Sequence, residues 1–176
     1  DAEIVGETVP SQGTSNFGSF ISQISNSDAD VLAVPLTGGD LVNFMGQAAD
    51  AGLKDEVDIV GTANFARFVR GALGPALDGT YSAALYDASL EEGDNQEFVS
   101  QFQEMHGNPP GHFSRVGFEA VRMIARGIQE AGSTDPSDAA TALEGLEVET
   151  VLGTTAFREC DHQTPNPVWP AEVVLP

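Results

Sequence analysis

The chain has 176 residues, 41% of them hydrophobic, enough for one good-sized domain or part of a two-lobed one and too apolar for wholesale disorder. A single cysteine, Cys160, excludes a disulfide framework and a cysteine-rich metal site, and no apolar run approaches the roughly 20 residues of a membrane-spanning helix. Aspartate and glutamate total 27 against 7 lysines and arginines, a net charge of −20. This argues against nucleic acid and anionic membrane as partners, because the counterion-release term would have the wrong sign.

The charge can be sized. Twenty like charges on a sphere of radius about 20 Å repel by ~40 kcal/mol in pure water, and Debye screening cuts this to roughly 14 kcal/mol at 0.1 M salt and roughly 5 at 1 M. The unfolded chain repels itself too, so only a fraction is lost stability, set against a total of about 5–15 kcal/mol. Lys54 is the only lysine, and the carboxylates are spread from Glu3 to Glu172 rather than gathered in a block. That pattern reads as a halophilic chain preferring concentrated salt, not as an acidic face for a basic partner.

Residues 3–9 alternate polar and apolar in their first half, predicting a strand. A turn over 11–14 follows, Ser15 or Asn16 can cap a helix, and Phe17, Phe20, Ile21 and Ile24 form one apolar stripe. Val31-Leu32-Ala33-Val34 is a continuous apolar run expected of a strand buried on both faces. After Gly38-Gly39-Asp40 a second helix carries Leu41, Phe44, Met45 and Ala48 on one face, with Gly52 placed as a left-handed C-cap. Residues 57–60 form a short strand ending at Gly61, residues 65–73 a short helix and residues 81–86 a further strand. This alternation is the signature of right-handed βαβ crossovers, an α/β fold with a parallel sheet flanked by helices.

Residues 87–95 are polar and acidic and read as a connection between lobes. Beyond them the texture is helical. Phe98, Phe102 and Met105 stripe a helix over 96–106, Pro109-Pro110 breaks it, and a long helix to Ala131 is expected to turn Phe113, Val116, Ala120, Val121, Ile124, Ile128 and Ala131 inward. Asp135-Pro136 opens another helix, and residues 151–157 and 168–175 are candidate strands. Two long striped helices then have too few strands to cover them. Either they pack on the first sheet, or their sheet lies in a stretch of protein outside this sequence.

The chemistry-bearing residues are sparse. Gly38-Gly39 lacks the spacing and lysine of a phosphate loop. Yet strand end, glycines and helix start form the place where α/β folds bind ligands with backbone N–H groups, although two glycines also make a plain tight turn. His106, His112 and His162 lack ligand spacing and read as surface or hydrogen-bonded residues, so no metal or other cofactor is expected. Cys160 with His162 has no orienting acid or oxyanion donor and does not read as a catalytic pair; Asp161 beside His162 reads as a turn-stabilising pair. Phe65, Tyr86 and Trp169 stand where aromatic side chains can line a crevice or simply pack.

Several segments together resemble one family. Thr14-Ser15-Asn16-Phe17 with Phe20-Ile21-Ser22-Gln23-Ile24 and residues 30–35, then residues 95–107 with Pro109-Pro110 and Ala131-Gly132-Ser133-Thr134-Asp135-Pro136, and finally residues 153–157 with Arg158 and Asp161-His162-Gln163, are similar in order and spacing to the branched-chain amino-acid type solute-binding proteins of ABC importers. The resemblance implies a partial type I periplasmic-binding fold: residues 1–86 as most of the second lobe, 87–152 as helices returning to the first lobe, and 153–176 as the hinge recrossing and terminal strands. It implies an extracytoplasmic, non-enzymatic receptor, lipid-anchored through a missing N-terminal portion, that closes on a small-molecule solute and docks on a membrane ABC permease. With the charge, a halophilic archaeal member is expected. Carried over by position, Thr37, Gly38, Gly39, Ala63, Asn64 and Phe65 are the second-lobe cleft residues, and Tyr86 and Asp87 the hinge. Amino-acid binders of the family place an acid near Ala63 for the ligand's ammonium, whereas nothing over 62–77 is acidic here, so an amide, carboxylate or aromatic ligand stands beside an amino acid.

Two rivals use related architecture. A ligand-sensing receptor or regulator domain would carry a fused signalling or DNA-binding segment, which this sequence does not show. An α/β enzyme would need a nucleophile and base at the strand ends, which offer only Thr37, Thr62 and Asn64. The charge generates its own test: dialysis into dilute buffer is expected to collapse the far-ultraviolet circular dichroism, and indifference to salt overturns the halophilic reading.

Overall fold

A computed structural model describes residues 2–62, 65 and 67–174, with the chain divided between one unit of Asp1–Ala84 with Trp169–Pro176 and another of Leu85–Val168. In the first unit, β1 (Val31–Val34), β2 (Asp58–Gly61) and β3 (Tyr81–Ala84) run parallel, and β6 (Trp169–Glu172) adds antiparallel to β3, in the order β1-β2-β3-β6. The helix α2 (Gly38–Asp50) joins β1 to β2, and α3 (Arg67–Leu73) with a 3-10 turn over Gly74–Leu77 joins β2 to β3. These are the βαβ crossovers the sequence predicts.

The helix α2 organises this unit. Leu41, Phe44, Met45 and Ala48 fall on one face and are all buried, in one cluster with Phe17 and Ile21 of the α1 segment (Gly18–Ser25) and Val34 and Ile59 of the sheet. Phe17 meets Phe44 edge-on at 5.5 Å between ring centroids, a geometry the ring quadrupoles favour. The other flank of α2 holds the chain leading to α1: the Phe17 amide donates to Gln47 Oε1 at 2.8 Å, Gln47 Nε2 donates to the Ser15 carbonyl at 3.0 Å, and the Gly13 amide donates to Asp40. Gly52, with φ of 74°, ends the α2 segment in the left-handed region, where a β-carbon would be strained.

Two expectations for this unit fail. Residues 3–9 form no strand: alternation makes a ladder only beside a partner strand, and among the described residues none lies there. Nor is β1 buried on both faces, for Val34 is buried while Val31 and Ala33 are exposed. The described helices that pack on the sheet share one hydrophobic cluster, which leaves its second face open.

The second unit comprises α4 (Asn95–His106), α5 (His112–Ala131), α6 (Pro136–Leu143) and the antiparallel hairpin of β4 (Glu147–Thr150) and β5 (Gly153–Ala156). Asp135 caps α6 by accepting from the Ser137 and Asp138 amides, with Pro136 in the first turn, as its sequence predicts. The α5 and α6 helices cross closely at Gly127, where a β-carbon would sit 2.9 Å from the Ala139 carbonyl oxygen and from Leu143 Cγ. The sequence missed β4, although Val148 and Thr150 alternate inward along it.

The orientation of α5 is a correction. Five of the seven residues expected inward are exposed, among them Phe113 at 71%, Val121 at 67% and Ile124 at 58%, while Ile128 and Ala131 are half-buried. Its buried positions are Arg115, Glu119 and Gly127. Helical periodicity identifies the apolar face but not what covers it, and the described strands of this unit are one hairpin.

Lys54, the single lysine, donates from Nζ to the carbonyls of Pro75 at 3.2 Å and Asp78 at 2.9 Å, closing the 3-10 turn that leads into β3. Lys54→Met keeps the stem and removes both bonds. It should cost about 1 kcal/mol, read by urea denaturation at fixed high salt; an unchanged midpoint would mean water satisfies those carbonyls equally well.

Candidate functional site

The parallel registers Val34↔Gly61 and Gly61↔Ser82 bring the C-terminal ends of β1, β2 and β3 to one edge of the first unit, the edge at which open α/β sheets bind ligands. Thr37 lies there in extended conformation at the N-cap of α2, exposed, its hydroxyl taking no part in capping. Gly38 has φ of 58° and, like Gly39, nothing within 4 Å of where a β-carbon would be. The first helical bond is from the Leu41 amide to the Thr37 carbonyl at 3.4 Å, so the preceding first-turn amides have no intrahelical acceptor. These donors stand at the positive end of the α2 dipole, which suits an anionic or carbonyl oxygen.

At the end of β2, Thr62 is exposed, while Ala63 and Asn64 lie outside the described residues. Phe65 is only 7% exposed and belongs to the hydrophobic core, so it backs the edge rather than offering a wall to a ligand. The charged residues over 62–77 are Arg67 and Arg70, with no acid among them. Asp40, in the first turn of α2, already accepts the Gly13 amide at 3.0 Å through Oδ2.

A separate polar network occupies the second unit. Arg115 Nη1 donates to Glu119 Oε2 at 2.6 Å, with the two side chains 3% and 7% exposed. The other carboxylate oxygen of Glu119 accepts the Val151 amide at 3.1 Å, at the turn of the β4–β5 hairpin. Arg115 Nη2 donates to Asn166 Oδ1 at 3.3 Å, and the guanidinium lies 5.7 Å from the centroid of the Tyr86 ring. Tyr86 in turn donates from its hydroxyl to Asn95 Oδ1 at 2.8 Å, and Asn95 Nδ2 donates to the Leu90 carbonyl at 2.7 Å. The network goes unmarked in the sequence except that Arg115 and Glu119 stand at the i, i+4 spacing of a helical ion pair. Tyr86 and Asp87, expected at a hinge, are held: Tyr86 is buried, and the Asp87 carboxylate accepts from the Ser89 amide and hydroxyl.

Among the described residues no His, Cys, Asp and Glu group is arranged to hold a metal. Burial, then the nearby Arg115 charge, holds His112 below the ordinary histidine range. His162 Nε2 lies 3.1 Å from Glu144 Oε1. The partner of Asp161 is Arg158, whose Nε donates to it at 3.0 Å, rather than His162 as the sequence suggested. Cys160 is exposed.

With this geometry in view, a family model described as "Periplasmic binding protein" matches residues 1–174. The chain belongs to that family. It is 28% identical over 148 residues to Leu/Ile/Val-binding protein homolog 1 of Brucella suis, covering 84% of this chain and 39% of that protein. It superposes on an amino acid ABC transporter substrate-binding protein of Pseudomonas fluorescens with a TM-score of 0.89 and 23% identity, over 98% of this chain and 46% of that one. A solute-binding protein of an R. palustris ABC transporter, solved in complex with benzoate, gives 0.83 and 22%, over 97% and 47%. The chain thus spans less than half the length of these relatives, and its fold is part of the type I periplasmic-binding architecture.

Burial raises the Tyr86 phenol to about 12, with the nearby Asp87 and Glu119 charges adding to the rise and Arg115 and the Asn95 hydrogen bond opposing it. Because the folded value lies above the unfolded one, the stability this group contributes is complete below about pH 10 and is lost as the pH rises toward 12. In a tyrosinate absorbance titration at high salt, Tyr86→Phe should abolish the step near 12. Survival of that step would place the phenol in a wetter environment than the structure gives it.

Proposed function

We propose that this chain is the C-terminal part of an extracytoplasmic solute-binding protein of an ABC importer, which holds a small molecule in a cleft by hinge closure and presents it to a membrane permease. The family match over residues 1–174 carries the reading. In this reading the unit of Asp1–Ala84 with Trp169–Pro176 is most of the second lobe, and Leu85–Val168 is the returning part of the first. The outward apolar face of α5 is then covered by a first-lobe sheet encoded upstream, and a lipid anchor at the missing N-terminus keeps the protein on the outer side of the membrane. Binding rather than catalysis is the role the family supports.

The ligand meets this chain at Thr37, Gly38 and Gly39, with Ala63 and Asn64 the further contacts expected from the sequence and Phe65 buried behind. Open amides at the start of α2 and arginines without acids over 62–77 favour a carboxylate-bearing solute. An ammonium group enclosed without a paired charge costs several kcal/mol, and Asp40 is engaged by Gly13. A simple carboxylate or benzoate-like compound is therefore favoured over a free amino acid. The R. palustris neighbour with bound benzoate supports that class, while the Brucella relative bears the name of a Leu/Ile/Val binder.

The test is thermal unfolding of the intact protein in molar salt with benzoate, 4-hydroxybenzoate, leucine, isoleucine or valine. A carboxylate is expected to raise the midpoint in a concentration-dependent way, and Gly38→Val should weaken that ligand at least tenfold. If no solute in the panel raises it, and native mass spectrometry of protein from its source finds no bound molecule, the receptor reading fails. If only the amino acids act, the carboxylate preference fails and the receptor reading stands.

A further inference from the structure

The chain passes between its two units at Ala84–Leu85 and again at Val168–Trp169. On the first-unit side these two crossings are one cross-strand pair, since Ala84 of β3 is the register partner of Trp169 of β6. On the second-unit side the segments that receive them are far apart in sequence, yet both reach Arg115. Tyr86, the second residue past the first crossing, lies against the guanidinium, and Asn166, three residues before Trp169, accepts its Nη2 hydrogen bond.

Each segment is also stiffened locally. Tyr86 is bonded to Asn95, Asn95 to the Leu90 carbonyl, and Asp87 to Ser89. Asn166 sits between Pro165 and Pro167, whose rings fix the backbone on either side. The Arg115 side chain is itself nearly fully buried and oriented by Glu119. A planar guanidinium can stack on a ring and donate in two directions at once, which an ammonium cannot do.

We propose that Arg115 is a positioning residue of the hinge: it locks the two crossing segments to each other within the second unit, leaving Ala84–Leu85 and Val168–Trp169 as the pivots. This rests on the hinge-closure reading above, but its test needs no ligand, so the two can fail separately.

The experiment is hydrogen–deuterium exchange with mass spectrometry on the intact protein in molar salt, comparing the parent with Asn166→Ala and Arg115→Lys. The side-chain bond of Asn166 goes to Arg115, so Asn166→Ala is expected to speed exchange at least threefold over 86–92 as well as over 164–168. Arg115→Lys, which keeps a charge for Glu119, is expected to speed both segments together. Exchange over 31–34 and 58–61 should stay unchanged, which separates loss of the lock from general unfolding. Faster exchange confined to 164–168 in Asn166→Ala overturns the proposal, as does an Arg115→Lys protein unchanged in both segments. If Arg115→Lys does not fold, Asn166→Ala alone decides.

Discussion

Withdrawing Arg115 and Glu119 from water carries a large desolvation cost, which the contacts gathered around the pair offset. A buried pair is tolerated when most of its remaining hydrogen-bonding capacity is met. Glu119 uses both oxygens, one on Arg115 and one on the Val151 amide, which fixes the β4–β5 hairpin against α5. Arg115 reaches Asn166 and the Tyr86 ring, which fixes the segments flanking 87–165, while its buried Nε has no hydrogen-bond partner. The buried positions of α5 thus include an ion pair while Phe113, Val121 and Ile124 look outward, the reverse of the usual arrangement in a surface helix.

The first unit solves a simpler problem. One face of α2 supplies the core, one flank ties down residues 13–17 through Asp40 and Gln47, and its first turn leaves Gly38 and Gly39 open at the sheet edge. A single helix therefore both stabilises the unit and presents its candidate ligand contacts. Side chains that pack, such as Leu41 and Met45, hold the position of backbone donors that do not. Rigid packing behind an open backbone edge is the pre-organisation a binding surface requires.

Much of this was readable from residue order. The stripe Leu41, Phe44, Met45 and Ala48, the glycines that end α2, α4 and α5, and the Asp135-Pro136 start of α6 all follow from local rules that tertiary context did not override. The strand–glycine–helix passage at Thr37 to Gly39 likewise marked an edge that the structure leaves open. What local rules could not supply was the partner. Residues 3–9 alternate without a strand to pair with, and Phe113, Val121 and Ile124 are apolar without a described sheet to cover them. Phe65, expected among the cleft residues, is buried in a cluster with residues of α1 and α2, a distant association that its local sequence does not encode. The Arg115 network joins positions from Tyr86 to Asn166, a separation that no periodic pattern encodes.

The placement of β6 beside β3 has a consequence for how the protein comes into being. The parallel strands β1, β2 and β3 are synthesised early, whereas their antiparallel neighbour arrives only after the whole of the second unit. Until Trp169–Glu172 leave the ribosome, β3 carries an unpaired border of amides and carbonyls, the kind of surface that recruits strands from other chains. Final closure of the first unit is thus a late, long-range event, and nascent chains halted before residue 169 are the ones most exposed to misassembly.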